Sequence, residues 1–360
     1  VRIYISFTQF LIMKKTALFV LFLLIQLNMV MANESMEVSN AEKELIVLSA
    51  PVTDDPYYAA VADSIFDFHV RYAQKISKHD SVLILVDEKA YDRYANAIGE
   101  DKIAVAPMFD IWMRDFGLSN PVNPIMFRYT AEGQGRGEKG QREADTVQEH
   151  LAVIADKAGL SFHETDLLND GGNFVDDYAG NVVISRKFLH DNKLTEEQAR
   201  SKLRELTDIN NIAFIDSDEQ GGLEHADGVV AFVDTNTLII NTYTEDPEYT
   251  KQLRADLEFG LPGVIIHEIV TPYDDSSILD QRFGSACGLY TNALVTPNRV
   301  YLPQFGISED EIALKQVRAA TTREVVPVSS HQVCTMGGGV RCMSWQLRGA
   351  NAKALLSYLK

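Results

Sequence analysis

Cysteine is scarce: three in 360 residues, at positions 287, 334 and 342. That excludes a small scaffold stapled by several disulfides. It leaves room for one bridge in an oxidising compartment, most simply Cys287 to Cys334, with a thiol left over. Positive charge is scarce too, with 33 Lys and Arg against 51 Asp and Glu and a net charge of -18. A nucleic-acid partner needs clustered cations, so it is excluded, and cationic ligands are favoured. The eight histidines are scattered, and His267-Glu268 lacks the second histidine of a His-Glu-x-x-His helix, so no metal site is expected. No Gly-x-Gly-x-x-Gly turn follows an early strand, which argues against a dinucleotide-binding sheet. Low-complexity linkers are absent as well. The hydrophobic content of 46% suffices for a substantial core, and one domain over residues 45–360 is expected.

The first residues read differently. From Met13 the chain runs Met-Lys-Lys, then the apolar stretch Thr16 to Ile25, then Val30-Met31-Ala32. A basic start, a short apolar run and a small residue at the exit describe a secretory signal peptide over 13–32. The mature chain would then begin near Asn33, secreted or periplasmic, with no stable membrane span after cleavage. Residues 1–12 precede a more natural start at Met13.

Beyond residue 50, helical and extended patterns alternate. Helices are expected over 57–76, 89–98, 142–158, 195–206, 247–259 and 308–320. Strands are expected over 81–86, 103–105, 181–185, 229–233, 238–241, 264–269, 289–296, 299–302 and 324–328. Hairpins would turn at Asp234-Thr235-Asn236 and at Pro297-Asn298. Five of the helices start at roughly 60-residue intervals, which predicts an α/β fold of five similar modules around an axis. The polar loop Thr130 to Gln141, with four glycines, is expected to be a mobile surface excursion.

Four short clusters carry chemistry. Cys342 follows Gly337-Gly338-Gly339-Val340-Arg341, and a cation beside a thiol favours the thiolate. Glu224-His225-Ala226-Asp227 stands before a strand, where alternate side chains share a face. His225 is a candidate general acid and base, and Asp227 can pair with a cation or orient the imidazole. Trp112-Met113-Arg114-Asp115 combines an aromatic wall, a cation and a carboxylate able to take paired hydrogen bonds from a guanidinium. Asp170-Gly171-Gly172-Asn173 is a turn by its chemistry, with Asp170 and Asn173 able to face a ligand. Asp115, Asp170 and His225 are spaced 55 residues apart, and Cys342 lies 117 beyond His225. A thiol, an imidazole and two carboxylates suffice for covalent catalysis at a cationic carbon, without metal or organic cofactor.

At these residues the chain resembles the agmatine deiminase and bacterial peptidylarginine deiminase family of the guanidine-modifying superfamily. The resemblance rests on Trp112-Met113-Arg114-Asp115-Phe116-Gly117, Asp170-Gly171-Gly172-Asn173, His225-Ala226-Asp227, Tyr290-Thr291-Asn292 with Val300 to Gly306, and Gly337 to Cys342. It implies a propeller of five ββαβ modules with Cys342 as nucleophile, His225 as acid and base, and Asp115 and Asp227 as guanidinium clamps. Trp112, Arg114, Asp170 and Asn173 are expected to help hold the substrate. That substrate would be a small cationic guanidine, agmatine first, with an arginine-containing peptide as the alternative and an inactive guanidine-binding module as a reading of another class. The chain departs from the family pattern at Leu118, where proline is usual, and at Glu224, where glycine is common. It also has Val340-Arg341-Cys342 where agmatine deiminases usually show Asn-Ile-His-Cys.

Overall fold

Strands that are apolar at every position need cover on both faces, and crossover helices supply it. The computed structural model describes residues 43–218 and 222–360, so the leader expected over 13–32 lies outside the described residues. Leu45–Ser49 (β1), Ser81–Val86 (β2) and Ile103–Val105 (β3) run parallel. Helix Ala62–Ile76 (α1) makes the first crossover and buries Ile65, Phe68, Tyr72 and Ile76. Ile125–Arg128 (β4) pairs in parallel with His163–Leu168 (β5) across helix Gly137–Lys157 (α2).

Three further sheets follow one plan, an antiparallel hairpin whose second strand pairs in parallel with a third beyond a helix. The first is Val175–Asp176 (β6), Asn181–Ser185 (β7), Glu196–Leu206 (α3) and Asn211–Ile215 (β8). The second is Val230–Asp234 (β9), Thr237–Asn241 (β10), Pro247–Gly260 (α4) and Ile265–Ile269 (β11). The third is Leu294–Val295 (β12), Arg299–Gln304 (β13), Glu309–Ala320 (α5) and Glu324–Ser329 (β14). Finally Trp345–Leu347 (β15) returns antiparallel to β1. Among the described residues the architecture is mixed α/β, in five separate sheets, none of them closed on itself. Among the described residues no helix is long and apolar enough to cross a membrane.

The helix starts show local chemistry at work. Thr195 and Gln198 form a reciprocal capping box on α3, and Asp246 caps α4 with Pro247 in its first turn. Tertiary contacts override the local signal in two places. The helix expected from Tyr57 begins at Ala62, because the Tyr57 N–H donates to Asp55 (2.8 Å) and the Tyr58 hydroxyl to Asp110 (2.6 Å). The loop expected as a surface excursion is half helix, since α2 starts at Gly137. Its first residue, Thr130, is buried and donates through both N–H and hydroxyl to Asp170.

Two features fix the segments that build the site. Trp345, the largest fully buried side chain, packs in one cluster with Met113, Phe116 and Leu118 and anchors that stretch from behind. Cys287 and Cys334 form a disulfide across 47 residues, leaving Cys342 as the free thiol. Closing a loop of that length stabilises the fold by roughly 4 kcal/mol in the chain-entropy account. Backbone bonds from Ala286 to Cys334 (2.9 Å) and from Leu279 to Thr335 (2.9 Å) continue the seam toward Gly337.

Candidate active site

The chemical residues sit on short turns rather than inside strands. Met113–Phe116 is a single helical turn, and the Arg114 N–H donates to the Cys342 carbonyl (3.0 Å). Gly171–Asn173 is a 3-10 turn, and so is Ala226–Gly228. His225 therefore caps a turn and Asp227 sits inside it, instead of the two sharing a strand face, contrary to the expectation from their spacing. Two glycines make the convergence possible. A Cβ on Gly172 would lie 2.5 Å from His225 Nδ1 and 2.8 Å from Asp115 Oδ1. One on Gly338 would lie 2.3 Å from Trp112 Cζ3, so the indole and the loop that carries Cys342 touch only because that Cβ is missing. The result is a cavity of about 650 Å³ whose lining includes Trp112, Asp115, Asp170, His225, Asp227 and Cys342.

His225 Nε2 is 2.9 Å from Asp170 Oδ2, and its Nδ1 is 3.8 Å from Asp115 Oδ1. Burial pulls the imidazole down, but the charges of Asp115, Asp170 and Asp227 outweigh it and raise the pKa to about 9. Asp170 is pushed up by burial, yet His225 and the two Thr130 bonds bring it below the usual carboxylate range. Burial raises Asp115; His225 opposes that rise, whereas Asp170 and Asp227 add to it. Cys342 Sγ lies 3.9 Å from Asp227 Oδ2 and accepts from Asn292 Nδ2 at 3.0 Å. Burial, followed by the charges of Asp227 and Asp115, holds this thiol well above its ordinary pKa. The resting site thus combines an imidazolium with a neutral thiol.

Several expected substrate contacts are spent within the protein. Arg114 does not line the cavity: it is buried and its Nη2 donates to Gln346 (2.7 Å). Asn173 is also absent from the wall and accepts from the N–H groups of Ser185 (2.8 Å) and Ala226 (3.3 Å), which sets the His225 turn. Asp170 faces the cavity, but its bonds to Thr130 and His225 make it the residue that orients the imidazole. Arg341 turns away from the thiol beside it. Its guanidinium donates to Asp227 (2.7 Å) and to the carbonyls of Gly171, Gly172 and Phe174. Asn292 was within the matched Tyr290-Thr291-Asn292 stretch, yet nothing local marked it as the donor to the sulfur. Glu224 has φ 54°, a left-handed backbone that explains why glycine is common there.

The Porphyromonas-type peptidyl-arginine deiminase family profile matches residues 35–347. A Lactococcus lactis protein assigned as an agmatine deiminase is 26% identical over 314 residues, covering 76% of this chain and 84% of its own. A Streptococcus mutans protein with the same assignment is 24% identical over 320 residues, covering 76% and 85%. Among solved structures, the C. jejuni agmatine deiminase superposes with a TM-score of 0.70 at 20% identity, over 86% of this chain and 95% of that one. The Enterococcus faecalis agmatine deiminase gives 0.69 at 20% identity, over 87% and 95%. These structural likenesses speak to the fold, and the profile match across most of the chain speaks to descent. The chain belongs to the Porphyromonas-type peptidyl-arginine deiminase family.

Proposed function

We propose that this protein hydrolyses the guanidinium group of a small cation, agmatine first, to N-carbamoylputrescine and ammonia. The observation that carries this is the cavity's charge. Asp115 and Asp227 reach it beside the Cys342 thiol, and Arg282, the only Lys or Arg lining it among the described residues, is paired with Asp280. A substrate carboxylate finds no free cation there, which disfavours free arginine. The relatives assigned as agmatine deiminases support the same choice.

In this reading Asp115 and Asp227 hold the planar guanidinium, whose fork suits carboxylates. The arriving cation lowers the thiol pKa, and the thiol proton passes to solvent water, from which the thiol is reprotonated after turnover. Sulfur attacks the guanidinium carbon, forming an S–C bond. His225 then gives a proton to one nitrogen as its C–N bond breaks and ammonia departs, leaving a thiouronium. The neutral imidazole takes a proton from water, the oxygen bonds to carbon, and the C–S bond breaks to release the ureido product. Asn292, donating to the sulfur at 3.0 Å, favours its anionic form.

The same reading takes the five sheets as ββαβ-type modules of a pseudo-symmetric propeller, supported by the three that share one plan. It also takes the protein as exported, supported by the leader pattern and by a disulfide that persists best in an oxidising compartment. Arginine in a peptide is the second reading. A cavity of about 650 Å³ has more room than agmatine fills.

Two measurements test the proposal. Agmatine, free arginine and a peptide ending in arginine, supplied at equal concentration, should give ammonia fastest from agmatine. Turnover of the peptide about tenfold more efficient than agmatine, a difference of ~1.4 kcal/mol, would replace the substrate. The pH profile tests the chemistry. Asp115 must be ionised to clamp, so kcat/KM rises with pH through a value above the usual carboxylate range. His225 must be protonated to expel ammonia, so kcat/KM falls as pH passes about 9. A profile with no alkaline fall would remove His225 as the acid.

A further inference from the structure

Asp110 is 8% exposed and lines the cavity. Its Oδ1 accepts from the Tyr58 hydroxyl (2.6 Å) and the Ile111 N–H (2.7 Å), and its Oδ2 from Gln134 Nε2 (2.7 Å). All three partners are neutral donors. Burial raises this carboxyl above its usual pKa, and these donors, with the Trp112 N–H, favour its charged form against that rise. Yet among the described residues no Lys, Arg or His forms an ion pair with it. A buried charge is normally paired, and an unpaired one inside a ligand cavity is half of an ion pair. Tyr58 and Gln134 line the same wall. Gln134 also reaches the hydroxyl of Tyr129 at 3.4 Å, so the polar groups around Asp110 are fixed by one another.

We infer that Asp110 receives the second positive charge of the substrate, so that the site selects alkylguanidines carrying an ammonium at the far end of the chain. This rests on the guanidine-hydrolysing reading above and deepens it. Asp115 and Asp227 grip one end, and Asp110, five residues before Asp115 in the same segment, grips the other. The Oδ2 atom, with a single donor, has a lone pair left for an ammonium. Specificity then comes from charge at two separated points, and a substrate with only the guanidinium leaves Asp110 buried and unpaired.

The test compares agmatine with n-butylguanidine, which has the same carbon chain and no amine. The wild-type protein should favour agmatine in kcat/KM by at least about tenfold, as expected for a charge-assisted contact with a buried carboxylate. Asp110→Asn should reduce that ratio toward one. Gln134→Lys, which leaves Asp110 in place and puts an ammonium of the protein's own beside it, should reduce the ratio as well and serves if the asparagine variant does not fold. Equal use of the two guanidines by the wild type would overturn the subsite while leaving the hydrolase reading intact. Equal losses on both substrates in the two variants would make Asp110 a structural residue and overturn it too. Turnover of neither guanidine by the wild type would overturn the parent reading and this one with it.

Discussion

Cys342→Ser should release no measurable ammonia from agmatine, a loss of at least roughly 10⁴-fold in kcat, while still binding it. A hydroxyl cannot use the thiolate route, because its pKa lies far above that of a thiol. The clamps do not depend on sulfur, however. Asp115 keeps its bond from the Gly172 N–H (3.1 Å) and Asp227 its pair with Arg341. Calorimetry on the serine variant should therefore register agmatine, with no turnover to obscure it. Cys334→Ser offers the contrast: it breaks the bridge to Cys287, so its cost should appear in unfolding rather than in the chemical step. Near-normal turnover by Cys342→Ser would mean that the nucleophile is wrongly assigned.

Arg341→Met should be the most destabilising single change near the site, by about 3–5 kcal/mol in urea unfolding. The guanidinium is buried and makes four contacts, to the Asp227 carboxylate and the carbonyls of Gly171, Gly172 and Phe174. Its removal leaves Asp227 charged without a partner and frees the turn that carries Gly172. Turnover should fall as well, because Asp227 then loses its fixed orientation. Arg341→Lys keeps a charge but lacks the fork, so it should recover only part of the stability. A cycle with Asp227→Asn separates the pair from the carbonyl contacts. If the double variant is less destabilised than the two single changes added together, Arg341 acts through Asp227. Strict additivity would instead make the carbonyl contacts the whole effect.

That Cys342, His225, Asp115 and Asp227 would meet at one cavity was legible because their chemistry is written in residue type. Few residues besides Cys342, His225, Asp115 and Asp227 can attack, shuttle a proton or clamp a guanidinium, and each stands in a short, ordered motif. Direction was not legible. Arg341 is adjacent to Cys342, which suggested a cation serving the thiol, but the two stand in a turn that sends the guanidinium to the carbonyls of Gly171, Gly172 and Phe174. Arg341 consequently serves Asp227 instead. Arg114 and Asn173 misled in the same way: a polar residue inside a motif can hold the motif's backbone as readily as a ligand. Of the elements, β2, β3 and β7 could be read from compact apolar runs. β5, His163–Leu168, could not, because its polar sequence becomes a strand through pairing with β4. The start of α1 likewise depends on Asp110, far along the chain, and no window of sequence contains both.

Thiol–disulfide exchange and oxidation both proceed through the thiolate. A thiol held protonated by burial and by two neighbouring carboxylates is therefore slow to attack the Cys287–Cys334 bridge or to meet an oxidant. In the proposed reaction the charge that awakens it arrives with the guanidinium and is gone once the neutral ureido group has formed. Reactivity is then confined to the occupied site, and an idle molecule can persist where an ordinary exposed thiol would soon be oxidised.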